Sequence, residues 1–338
     1  MSEVKIEDYH IQKTFLGSEM EGKKYIHPLL DEIPKLAEIA KQDNYHVTVA
    51  EDFVDVNAGS GLVHLSPANG EEDHNIATKR KVTIFSPIDD AVKFTEDAGK
   101  YSGLFVRDAD EKLVESIKEK NALVKIGKIK HKYPLCWRCN HGLVWLARRE
   151  YFYMLDKLDD KAIKAAEDVE YFFEAPKNRF LEIIKEKHPW CISRERFWGC
   201  PIPIWNCKEC GNIERLFSRK EIIEASSELP DGKDFELHRP WIDNILIKCK
   251  KCNATMEREE FVLDTWHNSG SAPFASLDEA QYKEKIPAPF FTEGIDQTRG
   301  WAYTLLIENV ILNNAPVSPY KSFLFQDRKS TRLNSSHW

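Results

Sequence analysis

Four cysteines in the second half of the chain have the spacing of a metal site. They form two Cys-x-x-Cys pairs, Cys207 with Cys210 and Cys249 with Cys252. Two thiolates three positions apart can bind one tetrahedral ion, and two such pairs complete a four-sulfur shell with no open position for chemistry. The alternative is four unrelated thiols, which two such pairs in one chain disfavour. The spacing predicts a structural Zn²⁺ site in a ribbon over residues 205–262.

A third pair, Cys136 and Cys139, has no partner pair within the chain. Three interpretations are open at this stage. The pair is a redox centre, or His131 or His141 completes its ligand set, or it is half of a second zinc site whose other half lies outside the chain.

Three further segments combine acids, amides, tryptophans and glycines more densely than packing alone requires. They are residues 190–205, 263–270 and 293–301. The third lies between a predicted strand at 289–294 and a predicted internal helix at 299–313, and another strand is predicted at 320–326. Strand, polar turn, helix and strand indicate an α/β domain of the nucleotide-binding type, with its site at the carboxyl end of a strand.

Composition limits the remaining possibilities. The 338 residues carry 48 Lys and Arg against 55 Asp and Glu, a net charge of −7. This balance excludes nucleic-acid binding by bulk positive charge, so such a partner needs local basic patches. No apolar run approaches the ~18 residues of a membrane span, and the polar amino terminus is unlike a signal peptide, so we expect a cytoplasmic protein.

The elements around these motifs are predicted from periodicity. The first ~125 residues are expected to be rich in strands, at 45–49, 53–56 and 62–65, because apolar and polar residues alternate there. A helix is expected from about Asp108, with Glu111 completing a capping box. Two more helices are expected at 159–168 and 177–187.

Together the three segments resemble the class I aminoacyl-tRNA synthetases of the isoleucine, valine and leucine group. Residues 296–301, Asp-Gln-Thr-Arg-Gly-Trp, resemble the isoleucine members in particular. His267 and Asn268 stand where many bacterial relatives carry Phe and Asp, which is a variant of archaeal type. The resemblance covers residues 10–326. It implies activation of isoleucine with ATP and Mg²⁺, and transfer to tRNA(Ile), by a monomeric enzyme.

The resemblance also assigns an amino-acid site. Four residues would line the aminoacyl-adenylate site with charge, an amide and room for close backbone approach: Glu293, Gly294, Asp296 and Gln297. Trp266 and Trp301 would form walls of the isoleucine pocket. Taken singly, the acid at 296 could instead pair internally with Arg299, and the tryptophans could pack in the core. The combined motif favours the functional interpretation.

Residues 59–74 are similar to the editing motif of the same group, which holds a histidine and a distal aspartate. Here these are His64 and Asp73. One methylene separates isoleucine from valine and contributes only about 1–3 kcal/mol of discrimination, so a site that hydrolyses valyl-tRNA is expected. Asp73 would anchor the substrate ammonium and His64 would shape the pocket. The alternative for His64 is a strand histidine with a satisfied hydrogen bond.

The chain is expected to contain parts of two domains. Residues 1–128 would be the C-terminal part of a β-rich editing domain, and 129–326 the second half of a Rossmann-type catalytic domain that carries the ribbon. Residues 327–338 are expected to be a non-native tail. The family's His-x-Gly-His and Lys-Met-Ser-Lys-Ser motifs do not occur. We therefore expect an internal fragment that alone neither activates isoleucine nor charges tRNA.

Two alternatives remain. One is a valine-specific member of the group, which the residues at 296, 297 and 301 oppose. The other is a free-standing zinc-ribbon module that binds nucleic acid. It predicts a basic surface around 205–262 and no small-molecule pocket, and the Glu-Gly-Ile-Asp-Gln motif at 293–297 argues against it.

Overall fold

The structure, a computed structural model, describes residues 10–55, 60–128, 130–158 and 160–326. The chain divides into two units, Met1–Arg149 and Glu150–Trp338. The expected tail at 327–338 lies outside the described residues.

The first unit is built from short helices joined by long turns. Its α-helices are α1 (Pro34–Ile39), α2 (Glu71–Lys79) and α3 (Asp110–Glu119), and its 3₁₀ helices are Gly17–Met20 and Glu96–Tyr101. Isolated bridges such as Lys24 with Val47 tie its extended segments together. Tyr101 is fully buried, and its hydroxyl donates to the Ser116 oxygen of α3 at 2.8 Å.

The strands predicted at 45–49 and 62–65 are not formed. Residue 47 makes one bridge, and Leu62 and Val63 are exposed. The strand at 53–56 falls partly outside the described residues. A segment with alternating apolar and polar residues forms a strand only where it can hydrogen-bond to a neighbouring backbone. The local sequence pattern does not show whether such a neighbour is present.

The helix expected near Asp108 is present as α3, but its cap differs. It begins at Asp110 after Ala109, whose side chain makes no capping bond, so the predicted capping box is not formed. Acidic residues in the first turn still complement the helix dipole.

The second unit contains a parallel sheet enclosed by helices. Its three strands lie in the order β11 (Phe291–Gly294), β12 (Ser322–Gln326) and β2 (Glu170–Tyr171), and each neighbouring pair is parallel. Helix α10 (Trp301–Asn313) connects the first two. Phe323 and Phe325 of the central strand are buried, as expected for a sheet covered by helices.

Helices α4 and α5 pack with α10 around these strands in one apolar core. They span Lys161–Glu167 and Glu174–Lys185, which confirms the helices predicted at 159–168 and 177–187. Phe180 and Leu306 are completely buried in this core. The strand–turn–helix–strand order predicted for 289–326 is therefore observed, and the fold class is α/β.

The ribbon is a five-stranded antiparallel sheet in the order β6-β5-β9-β8-β7. Its strands are β5 (Ile204–Asn206), β6 (Ile213–Arg215), β7 (Ser226–Glu228), β8 (Leu246–Lys248) and β9 (Thr255–Arg258). Helix α6 (Arg219–Ala225) and the 3₁₀ turn Trp241–Asn244 lie between them in sequence. Trp205 and Met256 are fully buried in a second core.

The remaining elements frame the polar segments. Two antiparallel pairs join β1 (Phe152–Tyr153) to β3 (Trp190–Cys191), and β4 (Ser193–Arg194) to β10 (Val262–Leu263). Three short helices follow: α7 (Thr265–Gly270), α8 (Ala272–Ser276) and α9 (Glu279–Lys285). Within the described ranges, no helix has both the length and the apolar character needed to cross a bilayer.

Candidate functional site

The four ribbon cysteines converge, as their spacing predicted. The sulfurs of Cys207, Cys210, Cys249 and Cys252 all lie within 4.8 Å of one another. The Cys207 and Cys252 sulfurs are 3.4 Å apart, and those of Cys210 and Cys249 are 3.6 Å apart. Around a tetrahedral ion with ~2.3 Å metal–sulfur bonds, neighbouring sulfurs lie about 3.8 Å apart. The cluster therefore fits one zinc-sized ion.

A tight turn holds each pair in shape. The Cys207 N–H donates to the Asn212 carbonyl at 2.8 Å, and the Gly211 N–H donates to the Cys207 carbonyl at 2.9 Å. Gly211 has φ +68°, a left-handed conformation that glycine adopts without strain. In the second pair, Asn253 (φ +61°) takes the place of the glycine and makes the same bond to the Cys249 carbonyl.

The third pair adopts the same turn. The Cys136 N–H donates to the His141 carbonyl, and the Asn140 N–H donates to the Cys136 carbonyl, both at 2.8 Å. Asn140 has φ +59°. Across the described residues, the ribbon cysteines are the one group of three or more His, Cys, Asp or Glu ligand atoms that converges. His131 and His141 therefore do not complete a site with this pair, although its backbone has the shape of half of one.

The Cys249 thiol is prepared for ionisation. Burial is the largest influence and opposes it, but backbone N–H groups of Cys252 and Lys251 and the neighbouring thiols outweigh that effect and lower the Cys249 pKa to about 6. The Lys251 N–H lies 3.4 Å from the sulfur. A thiolate at neutral pH is the form that binds a metal.

The polar turn at 293–301 lies where the parallel sheet ends. Glu293 and Gly294 are the last residues of β11, and a 3₁₀ turn, Ile295–Arg299, leads into α10. Asp296 is exposed and Gln297 is half-buried. A β-carbon on Gly294 would stand 2.6 Å from an Asp296 carboxylate oxygen, so the backbone must remain bare there. All four candidate residues thus lie together at the carboxyl end of β11.

Gln297 also stabilises this turn through the hydrogen bonds of its side chain. Its side-chain oxygen accepts the Trp301 N–H at 2.8 Å, which satisfies a free donor at the start of α10. Its amide nitrogen donates to Asp296 at 3.2 Å. Gly300 passes so close that an added β-carbon would lie 2.2 Å from the Gln297 oxygen and 3.2 Å from the Trp266 ring.

The two candidate wall tryptophans flank the turn. The Trp301 indole N–H donates to the Ser269 carbonyl at 3.0 Å, and its ring packs edge-on against Phe291 at 5.1 Å. Trp266 is 43% exposed, so its ring remains available to a ligand. Arg299 is paired with Glu186 at 2.6 Å.

A histidine–carboxylate hydrogen bond in a largely buried position joins α7 to α10. His267, next to Trp266 on α7, hydrogen-bonds through Nδ1 to the Glu308 carboxylate of α10. Glu308 is 1% exposed, and its second oxygen has no hydrogen-bond partner. Gly270 permits this approach, since a β-carbon there would meet the Thr304 carbonyl at 2.8 Å. Sequence reasoning missed Glu308, which the apolar pattern of α10 conceals.

Asp264 anchors the segment at 190–205 to the start of α7. It is 5% exposed, accepts the Trp190 indole N–H at 3.1 Å and pairs with Arg194 at 3.0 Å. Arg194 is therefore engaged in an internal pair.

The first unit contains a cavity of about 310 Å³. Both predicted editing residues, His64 and Asp73, line it. Asp73 lies in the first turn of α2, is half-buried, and accepts the Ser66 N–H at 2.8 Å. His64 also lines the cavity and is exposed.

Four rings that the sequence reasoning did not single out complete the wall of this cavity. They are Tyr25, His27, Tyr45 and His46. The His46 ring stacks on His27 at 5.4 Å and contacts Tyr45 at 4.8 Å. Burial raises the pKa of both tyrosines, so they are neutral phenols. The sequence did contain a signal for these rings, because tyrosine and histidine are concentrated at 25–27 and 45–46.

A parallel sheet with a polar turn at its carboxyl end, joined to a cysteine ribbon, defines a nucleotide-type α/β protein. The chain belongs to the class I tRNA synthetases (I, L, M and V), whose family model matches residues 1–327. The isoleucine–tRNA ligase of Saccharolobus islandicus is 40% identical over 328 residues, covering 96% of this chain and 30% of that protein.

Other relatives agree. The isoleucine–tRNA ligase of Methanocaldococcus jannaschii is 40% identical, covering 92% of this chain and 30% of that protein, and that of Methanopyrus kandleri is 36% identical, covering 98% and 32%. The chain thus spans about a third of the length of these archaeal relatives, which confirm the expected resemblance to isoleucine members of archaeal type. The ternary complex of Agrobacterium radiobacter K84 agnB2 LeuRS with tRNA and LeuAMS aligns with 45% of this chain and 23% of that one, at 22% identity and a TM-score of 0.30.

Proposed function

We propose that this chain supplies part of an isoleucine–tRNA ligase. In that enzyme, ATP with Mg²⁺ activates isoleucine, the amino acid is transferred to tRNA(Ile), and mischarged valyl-tRNA is hydrolysed. The observation that carries the proposal is the turn at 293–301, which gathers two carboxylates, an amide and a bare backbone at a strand end beside two tryptophans. Such strand ends are where α/β sheets bind their ligands.

The chemistry assigned to this turn is recognition of a zwitterion joined to a nucleotide. The carboxylates of Glu293 and Asp296 attract the substrate ammonium, and Gly294 lets the adenylate approach the backbone. Trp266 and Trp301 enclose the branched aliphatic side chain, because aromatic walls exclude water from it. Binding energy for one methylene is small, which makes the second, hydrolytic site useful.

We assign hydrolysis to the cavity of the first unit. Asp73 contributes the anion that binds the ammonium of the misplaced amino acid, and His64 limits the size of the side chain. The editing part is assigned to residues 1–128 and the catalytic part to 129–326, while the compact unit that holds the cavity continues to Arg149. Two separate sites suit one enzyme that both makes and removes aminoacyl esters.

We further propose that the ribbon cysteines hold one structural Zn²⁺. The sulfur spacing fits a tetrahedral shell, and four thiolates leave no position for substrate. The Cys136–Cys139 pair has the same turn and is assigned to a second site whose remaining ligands come from outside the described residues.

The amino-acid site is tested by binding of non-hydrolysable aminoacyl-sulfamoyl adenosines, measured by titration calorimetry. We expect the isoleucyl compound to bind about 10-fold or more tighter than the valyl one, since a methylene contributes roughly 1–3 kcal/mol. Trp301→Ala should remove this preference. Trp241→Ala, a half-exposed ribbon tryptophan, is the matched control. Equal binding of both compounds would contradict the isoleucine assignment.

A further inference from the structure

Three histidines distant in sequence meet in the cavity that contains Asp73. His27, His46 and His64 all line it. The other basic group in the lining, Arg80, is already paired with Glu21 at 2.8 Å and Glu51 at 2.9 Å. The charge of Arg80 is therefore balanced by two carboxylates, and the editing assignment leaves His27 and His46 without a role.

The local turn fixes the tautomer of His27. Its Nδ1 accepts the backbone N–H of Leu29 at 3.2 Å, in a turn that begins His27-Pro28. A nitrogen that accepts a hydrogen bond carries no proton, so in the neutral ring the proton is on Nε2. His27 is therefore oriented as a donor through Nε2.

The surroundings keep this ring neutral. Burial is the largest cause that lowers the His27 pKa, and the nearby His46 and His64 lower it further. Burial also lowers the pKa of His46. A neutral donor suits a site that must bind an ammonium group, since an imidazolium would repel it.

We propose that His27 donates its Nε2–H to the carbonyl oxygen of an aminoacyl ester whose ammonium is bound by Asp73, and so stabilises the negative charge that develops there during hydrolysis. This proposal rests on the editing function assigned to the cavity. Neutral donors aimed at a developing oxyanion contribute because they require no reorganisation during the reaction.

The step is a simple hydrolysis. The oxygen of a water molecule adds to the carbonyl carbon, and the carbonyl electrons move to the oxygen that faces His27. The bond between the carbonyl carbon and the ribose oxygen then breaks, and the released proton passes to that ribose oxygen. His27 keeps its own proton throughout, so the products are a free amino acid and a nucleoside hydroxyl.

Acid pH should switch this role off. Protonating His27 places a proton on Nδ1, which breaks the bond from Leu29 and adds a cation opposite the substrate ammonium. The ionisable groups that face the ring in the cavity are His46, His64, Asp73, Arg80 and the two tyrosines. Hydrolysis by the wild-type chain should therefore fall as the pH drops through a value below 6.5, the ordinary pKa of histidine.

The test combines ring NMR with kinetics on the full chain. Long-range ¹H–¹⁵N spectra should show His27 at neutral pH with Nε2 protonated and Nδ1 bare. Addition of 3′-valylamino-3′-deoxyadenosine, a non-hydrolysable amide, should shift the His27 ring signals. With 2′(3′)-O-valyladenosine as substrate, His27→Phe should lower kcat on the order of 10²-fold with KM little changed, as for loss of one oxyanion donor.

Two variants separate this role from a structural one. His27→Gln keeps a side-chain N–H donor and should recover most of the rate, without the wild-type acid dependence of His27. His131→Phe, an exposed histidine elsewhere in the unit, is the matched control.

The outcomes distinguish the proposals. Loss of amide binding in Asp73→Asn, with full activity in His27→Phe, would retain the editing function and overturn the role of His27. A protonated Nδ1, or ring signals unmoved by bound amide, would also overturn it. Failure of the wild-type chain to bind the amide would remove the editing function and this inference together.

Discussion

Gln297 was identified from the sequence as a ligand-binding residue, but its structural role was not. The motif at 293–301 marked it as a ligand-binding amide. The structure adds that its oxygen accepts the first free N–H of α10, at Trp301. Such a bond joins residues four apart across a glycine, and a sequence pattern does not reveal whether the amide oxygen or the amide nitrogen is already used.

The oxygen and the nitrogen of the Gln297 side-chain amide can be tested separately. Gln297→Ala should lose the bond to Trp301 and cost about 1 kcal/mol of unfolding free energy, typical for a helix N-terminal cap. Gln297→Glu keeps the oxygen and should retain that stability, but it should weaken binding of isoleucyl-sulfamoyl adenosine because a donor is lost. Urea unfolding and calorimetry measure the two effects. Equal loss of stability in both variants would contradict the separation.

Glu308 is the residue that sequence reasoning missed most completely. A helix apolar on most sides was expected, and α10 is indeed internal. The one acid on it is buried, and its partner His267 lies on another helix. Pairing across such a distance in sequence follows from tertiary packing, which local periodicity does not contain.

We expect His267→Phe to destabilise the second unit by about 1–3 kcal/mol, because the buried Glu308 carboxyl would lose its hydrogen-bond partner. Adding Glu308→Gln to the same chain should recover part of the loss, since a neutral amide is cheaper to bury. Urea unfolding followed by tryptophan fluorescence measures both. Wild-type stability in the single variant would show that the pair contributes nothing.

Among helices and strands, prediction succeeded where the hydrophobic pattern of a segment by itself defines its buried face. Helix α5 and strand β12 follow from periodicity within a few residues, because each buries a face defined by its own sequence. The strands predicted at 45–49 and 62–65 were wrong, because a strand requires a pairing partner that cannot be identified from its own residues. The cavity wall was missed for the same reason: His27 and His46 meet through tertiary folding.

The ribbon gives the prediction for this scale. Cys249→Ser should abolish bound zinc and loosen the core around Trp205, since structural zinc contributes directly to folding. Cys200→Ser, a thiol outside the cluster, is the control and should keep the metal. Elemental analysis and the near-ultraviolet circular dichroism of tryptophan report the two effects. Zinc retained by the Cys249 variant would refute the four-sulfur site.

The whole molecule consists of two units, and each contains its own buried residues and its own candidate site. The overall charge of −7 excluded binding through bulk positive charge from the beginning. It could not reveal the division into units, which depends on contacts between residues far apart in the chain.

Residues 1–149 expressed alone should fold and retain the cavity, because the residues that line it all belong to that unit. The His27 ring should then show the same tautomer as in the complete chain. Comparison of ring ¹⁵N shifts between the two proteins tests this. An unfolded spectrum, or a changed tautomer, would show that the cavity requires the second unit.

The three cysteine turns have a consequence for how metal is captured. Each pair is shaped by its own backbone hydrogen bonds and a left-handed residue, Gly211, Asn253 or Asn140. Metal binding in the ribbon then brings together two preformed chelating arms, Cys207 with Cys210 and Cys249 with Cys252, and not four independent thiols. The effective concentration of one arm at the other is set by residues 211–248 between them. Folding of that excursion should therefore control metal affinity, even though none of its residues binds the ion.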